Sequence, residues 1–203
     1  MQEFDFIQRI IKTEHGFKPF EDEASRIFRS YSLEDSKNTA LELLHHDFCQ
    51  VRSVGIFILG FIASEDKAVL SVLKECARND ESWQVQEIIA KAFDQFCRDN
   101  GYEHSLPEIK QWLGEKHPNI CRAVTEGLRI WTSRPYFKEH PQEAIRLISL
   151  HNASDSEYLR KSVGNSLRDI HKKYPEYVES EISQWDLSDD RIAHTYKFVL
   201  RKQ

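Results

Sequence analysis

Glycine and proline are scarce in this chain, at seven and six of 203 residues, too few for the many tight turns of an all-β protein. No apolar stretch approaches membrane length. The run "VGIFILGFIA" (54–63) covers ten residues, about half a span, and reads as a helix buried in a core. The opening "MQEFDFIQRIIKTEH" carries acidic residues and no long apolar segment, so a secretory leader is not expected. Without one, the formal glycosylation triplet "NAS" at 152–154 carries no meaning. Paired cysteines are also missing: Cys49, Cys76, Cys97 and Cys121 stand more than 20 residues apart with no CxxC spacing. They read as buried thiols of a reducing cytoplasm, neither disulfides nor a zinc site. The nine histidines, His45 and His46 among them, show no metal-ligand spacing and read as structural or solvated.

What is present is an ordinary helix-friendly mixture, 40% apolar and 30% charged, long enough to bury a substantial core. The net charge of −5 argues mildly against a polyanion partner until it is divided along the chain. Residues 1–109 hold 12 Lys+Arg against 20 Asp+Glu, residues 110–175 hold 12 against 7, and residues 176–203 hold 4 against 6. The basic charge is therefore concentrated in one central section, which permits a nucleic-acid partner. Solvated helix faces of chance composition would account for the same numbers.

Self-similarity is the stronger signal. Five segments open alike: "VRSVGIFILGFI" from Val51, "VQEIIAKAFDQF" from Val85, "CRAVTEGLRIWT" from Cys121, "LRKSVGNSLRDI" from Leu159 and "DRIAHTYKFVLR" from Asp190, spaced 34, 36, 38 and 31 apart. In each, a polar or basic second residue precedes small and apolar residues at three- and four-residue spacing, the pattern of a helix buried along a broad stripe. Between them lie other helical patterns, at 66–79, 105–116, 140–151 and 175–185. No segment reads as alternating strands. The expected fold is all-α, an α-solenoid of HEAT-like repeats forming a single domain over 1–203, with the five "VR"-type helices on the inner, concave side. Trp112 and Trp185 fall on the outer helices and read as structural.

Three segments carry a resemblance. "WQVQEIIAKAF" (83–93), "HPNICRAVTEGLR" (117–129) and "YLRKSVGNSLRDIHKKYP" (158–175) resemble the AlkC/AlkD superfamily of bacterial DNA alkylation-repair proteins, and in wording are closer to its AlkC branch. The resemblance implies hydrolysis of the N-glycosidic bond of alkylated bases such as 3-methyladenine, without metal or cofactor, by a monomeric cytoplasmic protein that associates with the nucleoid when bound. It implies double-stranded DNA, alkylated or distorted, as partner. Carried over position by position, the acidic site residues fall on Glu87, Glu126 and Asp169. Arg122, Arg129, Arg160 and Lys161 would meet backbone phosphates, and Trp83 and Trp131 would offer aromatic surface beside the lesion. Gln86 stands where the family usually has Arg.

Each assignment has a plainer competitor. Glu126 lies four residues after Arg122 and three before Arg129, the spacing of a surface ion pair. Asp169, in mid-helix, could pair with Arg168 or Lys173, and tryptophans more often fill cores than present faces. Arg122, Arg160 and Lys161 open their helices, where a cation opposes the helix dipole and a phosphate would compensate. Three functional classes stay open on these grounds: a glycosylase, a non-catalytic binder of distorted or branched DNA, and a protein-interaction scaffold. Convergence of the three carboxylates beside basic residues is the geometric expectation of the first.

Overall fold

Helix boundaries follow local chemistry. In this computed structural model, which describes residues 6–13 and 15–201, Ser32, Ser156 and Asp189 cap their helices by accepting from the backbone N–H of Asp35, Leu159 and Arg191. Prolines occupy the first turns of six other helices, where no intrahelical N–H is lost. The first residues of the leader reading, 1–5, lie outside the described set, as does residue 14. Thirteen α-helices and one short 3-10 turn are found among the described residues, with no strand. They form two compact units, 1–99 and 100–203.

The first unit contains α1 (Ile7–Ile10), α2 (Lys18–Ser30), α3 (Leu33–Leu43), α4 (Cys49–Ile62), α5 (Val69–Asn79) and nearly all of α6 (Trp83–Asn100). Helix α4 is the apolar run singled out in the sequence, and it is buried on almost every side, packing against α2, α3 and α5. Two glycines let its neighbours approach. A Cβ on Gly55 would lie 2.8 Å from the Ala40 carbonyl oxygen, and one on Gly60 2.9 Å from the Ala92 backbone of α6. Each fully buried Ile, Leu or Phe here contributes about 1.5–3 kcal/mol by leaving water, and Ile56, Ile58, Leu59, Phe93 and Phe96 are all inaccessible.

The second unit holds α7 (Leu106–Leu113), α8 (Pro118–Gly127), the 3-10 turn Trp131–Ser133, α9 (Pro135–Glu139), α10 (Pro141–Ser149), α11 (Glu157–His171), α12 (Pro175–Ile182) and α13 (Asp190–Val199). Helices α8, α11 and α13 pack in that order as one layer, and α7, α10 and α12 cover them, with α10 touching α12. These are the helix pairs expected from the repeat, and the all-α, HEAT-like class stands. Gly164 of α11 allows the tightest crossing: a Cβ there would meet Phe198 and come within 2.8 Å of the Thr195 carbonyl of α13. Trp112 is fully buried on α7, as its outer-helix reading required of a structural residue.

The clearest departure concerns "CRAVTEGLRIWT". The pattern extends the helix through Trp131, but α8 ends at Gly127. Glycine is a weak helix former, and the carbonyls freed there find other donors. The Trp131 indole N–H donates to Thr125 O at 3.0 Å and the Arg134 guanidinium to Gly127 O at 3.3 Å. Arg129 and Trp131 therefore leave the helix and run in the following segment.

Candidate nucleic-acid interface

Ending α8 at Gly127 turns the Arg129 side chain across the seam between α8 and α11. Its Nε donates to Asp169 Oδ2 at 2.7 Å and its Nη1 to Glu126 Oε2 at 3.3 Å. Lys172, one turn beyond Asp169, donates from Nζ to Oδ1 at 3.0 Å. The carboxylates are well sheltered, with side-chain exposures of 13% for Glu126 and 9% for Asp169, while the cations are more open, at 30% for Arg129 and 52% for Lys172. Burial pushes the Asp169 carboxyl up, but hydrogen bonds and charge from Arg129 and Lys172 outweigh it and hold the group below the ordinary carboxylate range. Asp169 is thus an anion at neutral pH. Its partners are neither Arg168 nor Lys173, the plain alternatives; they are an arginine forty residues earlier and the lysine three residues on.

The same seam carries two further ties. Ser166 Oγ donates to Thr125 O at 3.4 Å, and the Arg122 guanidinium lies 3.9 Å from the centre of the Tyr158 ring. Arg122 is only 6% exposed, beneath a tyrosine that is 46% exposed. Lys161 and Arg168 of α11 and Lys172, its C-cap, fall at spacings of seven and four, which places them on one face. Lys161 pairs with Glu157 at 2.6 Å, and the Arg168 Nε is sheltered with no hydrogen-bond partner. Sequence reasoning passed over Arg168 and Lys172 as contacts, although their helical spacing from Lys161 was available.

Three of the five second-position residues, Arg52, Gln86 and Arg160, turn out to share a job. Arg160 Nη1 donates to the carbonyls of Ser154 and Asp155 at 2.6 and 3.0 Å, and Arg52 Nη1 to those of His46 and Asp47 at 3.0 and 2.8 Å, six and five residues back in both cases. Gln86 Nε2 does likewise with Asp80 O at 2.7 Å and Ala77 O at 3.1 Å. Arg52 also grips the Asp80 carboxylate with both sides of its fork, at 2.6 and 3.0 Å. At Arg160, loop carbonyls thus supply the compensation that a phosphate was expected to give, and Gln86 fits its own place because the job needs donors more than charge.

The two tryptophans differ. Trp131 is fully buried, 4.9 Å from the Phe137 ring centre, and has no face to offer a base, which corrects its reading as aromatic surface. Trp83 is 62% exposed at the start of α6 in the first unit, edge-on to Phe17 at 6.2 Å. Glu87 sits one turn after Trp83 on the same helix and is half-buried. The structure therefore brings Glu126, Asp169 and Arg129 together in the second unit, while Glu87 and Trp83 stand one turn apart on α6 in the first.

The second unit is thus a layered α-helical repeat in which a sheltered carboxylate pair lies beside three cationic side chains. The family model described as "DNA alkylation repair enzyme" matches residues 19–185, and the chain belongs to that family. It is similar to AlkD2 from Streptococcus mutans, with 44% identity and a TM-score of 0.93 over 96% of this chain and 93% of that one. A second structure, smu.31 from Streptococcus mutans UA159, gives 42% and 0.90 over 97% and 96%. The alkylpurine DNA glycosylase AlkC from Pseudomonas fluorescens, solved on DNA containing an abasic site analog, shares the fold at 20% identity and a TM-score of 0.50, over 91% of this chain and 61% of that one. Full-length identity is thus higher with the structure named AlkD2 than with AlkC. The uncharacterized protein YhaZ of Bacillus subtilis is 30% identical over 108 residues, 49% of this chain and 30% of YhaZ, so the match spans under a third of that relative.

Proposed function

We propose that the protein is a DNA N-glycosylase that removes alkylated bases such as 3-methyladenine from double-stranded DNA. The observation that carries this is the sharing of Arg129 by Glu126 and Asp169, two carboxylates from adjacent helices held at hydrogen-bonding distance under a cationic helix face. An alkylated purine is cationic and leaves with the electron pair of its bond to C1′, so no strong general acid is needed. The sugar left behind is an oxocarbenium-like cation, which a fixed carboxylate stabilises while water adds to C1′ and gives up a proton. Arg129, Lys161, Arg168 and Lys172 supply the charge for a phosphodiester backbone, an affinity that is salt-dependent and indifferent to sequence. In the first unit, taken by itself, the exposed Trp83 ring one turn before Glu87 suits a cationic base through its quadrupole.

The test is release of free base from methylated DNA by purified protein, comparing 3-methyladenine, 7-methylguanine and 3-methylcytosine. Glu126→Gln and Asp169→Asn should each abolish most of the release while DNA binding persists. No release by the unaltered protein, under conditions where an active relative excises, would refute the proposal. One observation favours a second reading: both carboxylates are already matched by Arg129 and Lys172. A non-catalytic binder of distorted or branched DNA would show binding, no excision, and indifference to both substitutions.

A further inference from the structure

Asp169 has a cation on each oxygen, Arg129 on Oδ2 and Lys172 on Oδ1, and Arg129 also holds Glu126. A carboxylate matched on both sides contributes little field to a developing sugar cation. The two cations, however, are far more exposed than the acids they cover, so a phosphodiester can reach Arg129 and Lys172 before anything reaches Asp169. Guanidinium and ammonium groups bind phosphate with the same geometry they use for carboxylate.

We infer that Lys172 is a positioning residue which, together with Arg129, keeps Asp169 and Glu126 neutralised in the free protein and exchanges carboxylate for backbone phosphate on binding, so that the acids are uncovered only on a loaded site. This rests on the nucleic-acid reading above and adds its regulation. The exchange is noncovalent: the three ion pairs that Arg129 and Lys172 make with Glu126 and Asp169 break, both cations pair with phosphate, and no proton moves. Lys172 is suited to it because it stands at the rim, one turn from the acid, on the cationic stripe with Lys161 and Arg168. A free carboxylate would accelerate adventitious chemistry and repel DNA, and the covered state avoids both.

A double-mutant cycle in duplex affinity tests the exchange, using unmodified DNA and the proteins Lys172→Gln, Asp169→Asn and both together. If Lys172 must leave Asp169 to reach phosphate, Lys172→Gln should weaken binding several-fold more in the Asp169→Asn background than in the unaltered protein. Lys172→Arg should restore affinity in both. Additive effects would overturn the inference, since simple repulsion between Asp169 and DNA predicts additivity. Should Asp169→Asn fail to fold, the Arg129 Nε–H resonance of the unaltered protein carries the test. It should shift as duplex saturates the site, and a resonance that stays put overturns the inference. Absence of any salt-sensitive duplex binding overturns both this inference and the proposed function, whereas binding with additive cycles overturns this inference alone.

Discussion

The two tryptophans named by the family resemblance occupy opposite environments, one in each unit. Trp83 stands largely in solvent one turn before Glu87, whereas Trp131 is sealed in the core against Phe137. Their motifs are equally conspicuous in the sequence, so proximity to a carboxylate does not tell a presented ring from a supporting one. What separates them is the chain around them. Trp83 opens a helix and meets Phe17 edge-on, while Trp131 follows a broken helix and is drawn inward by a carbonyl that its indole must satisfy.

The largest effect should come from exchanging that contrast for truncation. Trp131→Ala is expected to cost about 3–5 kcal/mol in denaturant unfolding, the range for emptying a buried aromatic site. Trp83→Ala should cost well under about 1 kcal/mol and act on ligand affinity instead. Equal losses from the two would erase the distinction. Next, Arg129→Ala leaves two sheltered carboxylates facing each other and should destabilise the second unit by about 1–3 kcal/mol. The measured loss should shrink on the acid side, where protonation of Asp169 removes a charge that Arg129 neutralises.

Smaller again is the loop clasp common to both units. Arg160→Ala and Arg52→Ala should each lower stability by about 1–2 kcal/mol, and Gln86→Ala by roughly half that, as hydrogen bonds to charged donors are stronger than neutral ones. A drop in duplex affinity for Arg160→Ala with unchanged melting temperature would show that this arginine also serves phosphate. The smallest effect is in pH. Because the Asp169 carboxyl is held below its ordinary value, its contribution is fully present above the unfolded carboxylate range and is lost as pH falls through the lower folded value. Asp169→Asn should remove that part of the acid-side slope in a stability–pH profile.

Much of the fold was legible because burial writes a period into the sequence. The five inner segments correspond to α4, α6, α8, α11 and α13, each starting within three residues of its quoted opening. The helices before α4 were not read from the sequence: α2 and α3 carry no copy of the repeated opening, and their place is set by packing on α4. In the candidate site, Glu126 and Asp169 were found and do meet. The partnership itself was hidden because Arg129 reaches across forty residues, a separation that no local spacing encodes. The repeated second-position cation was read as a ligand for phosphate, yet a backbone carbonyl is an equally good acceptor and leaves no mark in the sequence.

The Thr125 carbonyl accepts both the Trp131 indole and the Ser166 hydroxyl, so a single oxygen joins the end of α8, the segment carrying Arg129 and the helix carrying Asp169. Under the proposed function, a genetic screen for lost repair would therefore score Trp131 and Ser166 alongside Glu126 and Asp169, although the Trp131 indole and Ser166 hydroxyl are spent on that carbonyl. Phenotype alone would enlarge the apparent catalytic set, and only stability measured beside activity would return it to its true size.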